Sequence, residues 1–261
     1  MWLDEDLAFY KRDLELSKPF VNADGVLGFA PDTRRVPTLA KLGAFITHPI
    51  SIRPRQPAAN RAYLPFNGGF LLHTGLPNPG VNQAIRRFRR SWGAADLPII
   101  VNVLVESPAA LAEMVRKLEG LENILGIELG LPPVCDPATL SAIMAAGAGE
   151  LPLIPCLGAE QVPLLIDTLK DLQPSMVHLV EPRGTLPVQD GEFVSGRLYG
   201  PAIFPIMLKA AQDLVAAGLS VIANGGIAYR WQVDALMETG VTAVGLGSVL
   251  WGTDPESIFS P

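Results

Sequence analysis

The order of the apolar runs constrains this chain most. Short stretches rich in β-branched residues occupy Ile99–Leu104, Ile124–Leu129, Leu151–Cys156, Met176–Val180, Leu219–Ala223 and Ala243–Leu246. Between them lie segments of helical period: Pro108–Leu118, Pro137–Ala146, Glu160–Leu172, Ile203–Ala217 and Trp231–Thr239. A strand that is apolar on both faces belongs in a parallel sheet covered by helices. Ser107 stands where an N-cap is needed, with Pro108 at the first helical position. Two earlier runs, Pro19–Ala23 and Ala44–Thr47, bring the strand count to eight, the number that closes a barrel around a side-chain-filled interior. The expected architecture is therefore a single parallel (β/α)8 TIM barrel over residues 1–261. It carries an N-terminal amphipathic helix over Met1–Lys18 and a long loop, Ser51–Pro79, after the second strand. Within that loop, Phe70–Leu72 is a candidate short strand. A doubly wound open sheet is the alternative, but no glycine-rich dinucleotide fingerprint follows the first strand.

Composition agrees with a large packed core, since 49% of residues are hydrophobic and 18% charged. The net charge of −6 argues against nucleic acid as a partner. Arg86, Arg87, Arg89 and Arg90 read as a solvated helix end. Cys135 and Cys156 form neither a paired metal motif nor a disulfide framework, and no metal is expected. The acidic start, with Asp4, Glu5 and Asp6, is unlike a secretory signal. No apolar run approaches the roughly 20 residues that span a bilayer. A cytoplasmic protein with a small-molecule substrate and no membrane partner is expected.

The chemistry concentrates near the C-terminus. Ala223-Asn224-Gly225-Gly226-Ile227 ends one strand, and Gly245-Leu246-Gly247-Ser248 ends the next. Glycines there let the backbone approach a ligand, and successive N–H groups form an anion-binding nest. The last loops of a barrel are its usual phosphate site. One such loop reads equally well as a tight turn; two in successive units point to phosphate. Flavin enzymes, sugar-phosphate isomerases and thiamine-phosphate synthases all use this device.

These residues, in order along the chain, resemble the dihydroorotate dehydrogenases, a family of FMN-dependent barrels. Pro19-Phe20-Val21-Asn22-Ala23-Asp24-Gly25 is similar to the family's first strand and turn, and Gly43-Ala44-Phe45-Ile46-Thr47 to its second strand. Gly75-Leu76-Pro77-Asn78-Pro79-Gly80 resembles the signature after the substrate loop. Ser195-Gly196 and Gly200-Pro201-Ala202, with Pro205, resemble the loop and helix start after the sixth strand. The resemblance covers about Pro19 to Leu250. It implies FMN held near Ala23, Asp24, Gly25, Gly196, Asn224, Gly225, Gly226, Gly247 and Ser248, and it implies a homodimer.

Elsewhere the family pattern is broken. The resemblance calls for a Cys or Ser base just past the fourth strand, but the chain reads Gly130-Leu131-Pro132-Pro133. Cys135, two positions late, is either a shifted base or a buried thiol. Where the fifth strand should end in lysine stands Cys156, and His48 replaces a lysine near the second strand. The lysines are Lys11, Lys18, Lys41, Lys117, Lys170 and Lys209, none at the C-terminal end of an expected strand. An asparagine expected before Gly75 gives way to Leu72-His73. Candidate replacements for the positive charge a reduced flavin needs are His48, Arg183 and Arg197. His48, His73 and His178 form an acid/base set, a metal site with Glu181, or merely scattered histidines. Three functions follow: an FMN-dependent oxidoreductase with an altered substrate, a noncatalytic FMN- or phosphate-binding relative, or a flavin-free lyase or isomerase of a small phosphorylated substrate.

Overall fold

A computed structural model describes residues 14–23, 25–60, 62–188, 191–252 and 255–259. Twelve strands and six α-helices are present among them. The strands are β1 (Phe20–Asn22), β2 (Phe45–Ile46), β3 (Ala62–Phe66), β4 (Gly69–His73), β5 (Ile99–Leu104), β6 (Ile124–Gly130), β7 (Leu153–Gly158), β8 (Val177–Val180), β9 (Arg183–Pro187), β10 (Phe193–Tyr199), β11 (Val221–Asn224) and β12 (Ala243–Leu246). The helices are α1 (Val81–Gly93), α2 (Pro108–Leu118), α3 (Pro137–Gly147), α4 (Val162–Leu172), α5 (Phe204–Ala216) and α6 (Arg230–Glu238).

Eight strands form one parallel sheet in the order β1-β12-β11-β8-β7-β6-β5-β2. The sheet closes on itself where Val21 bridges Ala44 in parallel and the Gly43 N–H donates to Phe20 O at 2.7 Å. That seam is short, and Asn22 reinforces it. Its Nδ2 donates to Ile46 O at 2.7 Å, and its Oδ1 accepts from Ile46 N–H at 2.9 Å. One side chain thus takes the place of a ladder rung, satisfying buried groups that would otherwise be costly to leave unmade.

Alternation along each strand sorts residues between two apolar layers. Ile99, Val101, Val103, Ile127, Leu129, Val177, Leu179, Val221 and Val244 face outward into the layer that the helices cover. Val21, Ala44, Ile46, Ile100, Ile154, Ile222 and Ala243 face inward with Leu14 and fill the floor of the barrel. Helix starts are fixed as their sequence demands. Ser107 caps α2 by accepting from Ala110 N–H at 3.2 Å, and Asp136 caps α3 by accepting from Thr139 N–H at 2.7 Å. Hydrogen bonds from Thr139, from its side chain first and its backbone N–H second, hold the Asp136 carboxyl below its ordinary range.

The four remaining strands form an antiparallel sheet, β3-β4-β10-β9. The stretch after β2 is therefore not a plain loop but carries a hairpin, and Phe70–Leu72 lies inside its second strand. Asn67 and Gly68 join β3 to β4, with Gly68 at φ +85°. β9 and β10 come from the connection after β8, so this sheet brings together segments more than a hundred residues apart. The four-arginine run lies on α1, where all four side chains are exposed. Of the expected N-terminal helix, residues 1–13 lie outside the described residues. Leu14–Lys18 are not helical, because Leu14 instead plugs the barrel floor.

Candidate active site at the mouth of the barrel

Above the apolar floor the interior changes character. The next inward positions carry a belt of fully buried polar side chains: Asn102 on β5, Glu128 on β6, His178 on β8 and Asn224 on β11, with Cys156 on β7. Strand register makes them neighbours, because Asn102 pairs with Glu128 and Cys156 with His178. Asn102 Nδ2 donates to Glu128 Oε2 at 2.7 Å, and the other carboxylate oxygen bonds His178 Nδ1. Ligand-type atoms of Glu128, Cys156 and His178 lie within 4.8 Å of one another, the one such trio among the described residues. The sequence leaves His178 open between an acid/base set, a metal site with Glu181 and a scattered histidine; the structure pairs it with Glu128, fifty positions away. Two buried amide atoms, Asn102 Oδ1 and Asn224 Nδ2, find no hydrogen-bond partner among the described residues.

One step further out, the rim is built of small residues. Gly247 sits among Ala23, Asn224 and the buried Glu181; a Cβ there would meet Glu181 Oε1 at 3.0 Å and Asn224 Oδ1 at 3.4 Å. Gly226, at φ +77°, lies on the start of α5, where a Cβ would meet Phe204 N at 2.6 Å. No L side chain suits both that angle and that contact. The turn is held by Gln232, which sequence reasoning passed over. Its Oε1 accepts from Ala228 and Tyr229 N–H at 2.7 and 2.9 Å, and its Nε2 donates to Gly226 O at 3.0 Å. Asn224 Oδ1 accepts from Gly225 N–H at 2.6 Å. Among the described residues, the N–H groups of Gly226, Gly247 and Ser248 donate to no turn or cap carbonyl.

The expected rim residues thus converge in part. Ala23, Asn224, Gly225, Gly226, Gly247 and Ser248 share the β1–β11–β12 arc, and Gly25 approaches the His48 ring, where a Cβ would lie 2.8 Å from Nδ1. Asp24 lies outside the described residues. Gly196 sits apart, in β10, and its lack of a side chain is explained by Leu72 O at 2.5 Å from its Cβ position.

Beside the rim, between the antiparallel sheet and the ends of β5 and β6, lies a cleft of about 590 Å³. Arg183, Arg197, His73 and Tyr199 line it from the sheet, and Gly130, Leu131, Pro132 and Pro133 from the β6 end. Arg55 and Glu106 close one side as an ion pair at 3.4 Å. Cys135 is not among the lining residues. It is 3% exposed, packs in the outer apolar core, and its thiol is pushed up in pKa, by burial first and then by Asp136. A thiol held in that form is a poor base.

Fold and rim together define an α/β barrel with paired glycine turns at the ends of its last two strands and a cleft beside them. The family model for dihydroorotate dehydrogenase matches residues 7–144. The chain is 26% identical over 275 residues to the dihydroorotate dehydrogenase B (NAD(+)) catalytic subunit of Pelobacter propionicus, covering 97% of this chain and 90% of that protein. With the protein of the same name from Latilactobacillus sakei it shares 26% over 273 residues, covering 94% and 88%. With the putative dihydroorotate dehydrogenase A (fumarate) of Aeropyrum pernix it shares 28% over 170 residues, covering 60% and 55%. The chain belongs to the dihydroorotate dehydrogenase family, a family of FMN-dependent oxidoreductases. No helix among the described residues is long and apolar enough to cross a membrane.

Proposed function

We propose that this chain is a single-domain FMN-dependent oxidoreductase whose substrate differs from dihydroorotate. The observation that carries the flavin is the pair of glycine turns closing β11 and β12, with N–H groups of Gly226, Gly247 and Ser248 turned to no backbone acceptor. Such groups fit a phosphate, which backbone nests bind through several aligned donors. The unsatisfied buried amides of Asn102 and Asn224 fit a polar ring system laid across the mouth. Bound there, FMN supplies the hydride acceptor. The chain's own part is to grip the phosphate at Gly225, Gly226, Gly247 and Ser248 and to pack Ala23, Gly25 and the His48 ring against the cofactor. Family membership favours this reading over a flavin-free lyase or isomerase.

The change of substrate rests on the β6 end. Leu131, Pro132 and Pro133 offer the cleft no proton-accepting side chain, and the Cys135 thiol faces the core. The same observation favours a second reading, a relative that binds FMN without turning over. Visible absorption of the purified protein, titrated with FMN and then mixed anaerobically with dihydroorotate, tests both. Flavin bands without reduction by dihydroorotate are expected. Rapid reduction by dihydroorotate would overturn the altered substrate, and absence of any FMN binding would overturn the oxidoreductase.

A further inference from the structure

Two arginines face the same cleft from directly opposed positions. Arg183 on β9 and Arg197 on β10 are Cα partners in the antiparallel register, so their side chains leave the same face of the sheet. Like charges placed this way repel, and a sheet that needed only stability would avoid the pairing. Both side chains line the 590 Å³ cleft, together with His73 and the Arg55–Glu106 pair. Glu106 is the single acid of that lining and is already engaged by Arg55. Arg55, Arg183 and Arg197 thus outnumber the acids lining the cleft, in a chain of net charge −6. Arg197 is not a wandering surface side chain, because its Nη1 donates to the Glu181 carbonyl at 2.6 Å. Among the described residues Arg183 forms no ion pair within 4.0 Å; its backbone N–H donates to Glu160 Oε1 at 3.3 Å. Burial and then Arg197 pull the Arg183 guanidinium below the usual arginine range, while Glu160 and Tyr199 act against them.

We propose that Arg183 and Arg197 form a subsite for a dianionic group, a dicarboxylate or a phosphate monoester, on the substrate of this cleft. Two guanidinium forks side by side match two carboxylates or the several oxygens of one phosphate. This assignment rests on the cleft being the substrate site of the oxidoreductase proposed above, and it adds the charge of the molecule that enters.

Calorimetric titration tests it. The protein is first saturated with FMN, so that the glycine cradle is filled, and then titrated with malonate, inorganic phosphate or acetate at matched ionic strength and about pH 8. Each dianion is expected to bind at least about tenfold more tightly than acetate, and Arg183→Gln to remove about tenfold of that affinity. Arg183→Lys keeps the charge without the fork and falls between. Malonate ahead of phosphate identifies a dicarboxylate; phosphate ahead of malonate identifies a phosphate monoester. Arg183 is exposed enough for its variants to fold, whereas Arg197→Gln also loses the Glu181 contact, so Arg183 carries the decision. Acetate binding as tightly as both dianions, or an Arg183→Gln variant that binds them like the parent, would overturn the assignment. FMN affinity is read separately from flavin absorbance. If the chain takes no FMN, the same titration of flavin-free parent against Arg183→Gln still reports on the cleft.

Discussion

The two arcs of the barrel mouth are built in different ways. On the β11–β12 arc, glycines at positive φ and a Gln232 brace shape the turns, and among the described residues the N–H groups of Gly226, Gly247 and Ser248 donate to no turn or cap carbonyl. On the β6–β7 arc, the ends read Gly130-Leu131-Pro132-Pro133 and Cys156, which offer the cleft neither a base nor a cation. Arg183 and Arg197 stand on the sheet above, and the Glu128–His178 pair lies in the interior. The first arc is set by backbone shape and the second by a few side chains at strand ends, where barrels vary their chemistry.

The comparison can be broken at several points. The largest effect is expected in the interior belt. Glu128→Ala leaves His178 and Asn102 buried beside a void, and should cost about 3–5 kcal/mol in urea unfolding. A cost under about 1 kcal/mol would mean that the pair contributes little and the belt is not one network. Next comes the cradle: Gly226→Ala forces a side chain to φ +77° against Phe204 and should cost about 1–3 kcal/mol. The same variant should bind FMN at least about tenfold more weakly, whereas a glycine that served only the turn would change stability alone. Asn22→Ala opens the barrel seam and should lower stability by about 2 kcal/mol, read as a lower thermal midpoint. The smallest effect belongs to Cys135→Ala, about 1 kcal/mol with no change in flavin reduction or its pH profile. Because the Cys135 pKa is raised, thiolate is scarce at neutral pH. Alkylation of Cys135 should therefore be slow and should accelerate only above the ordinary thiol range.

What the sequence discloses follows the range of the interactions involved. The strand Ala243–Leu246 and the helix Pro108–Leu118 are readable to the residue, because a short apolar run and a Ser-Pro start are local signals. The antiparallel sheet was mostly hidden. Pro65 interrupts β3, β9 is half exposed, and β4 pairs with β10 across more than a hundred residues. One local signal was available there, since Asn67-Gly68 between alternating residues marks a hairpin. The glycine rim was legible because its chemistry lies in contiguous turns. The Glu128–His178 pair was not, because only barrel closure and register bring β6 and β8 into one inward layer. Its trace was present nonetheless: a charged residue interrupting an otherwise apolar strand has to meet a partner inside.

The most direct measurement is the visible spectrum of the purified protein before and after titration with FMN, for the parent and for Gly226→Ala. Saturable flavin bands in the parent, weakened in the variant, are the predicted result. A parent that stays colourless and is not stabilised by FMN would contradict the claim that the β11–β12 arc is a working flavin-phosphate grip.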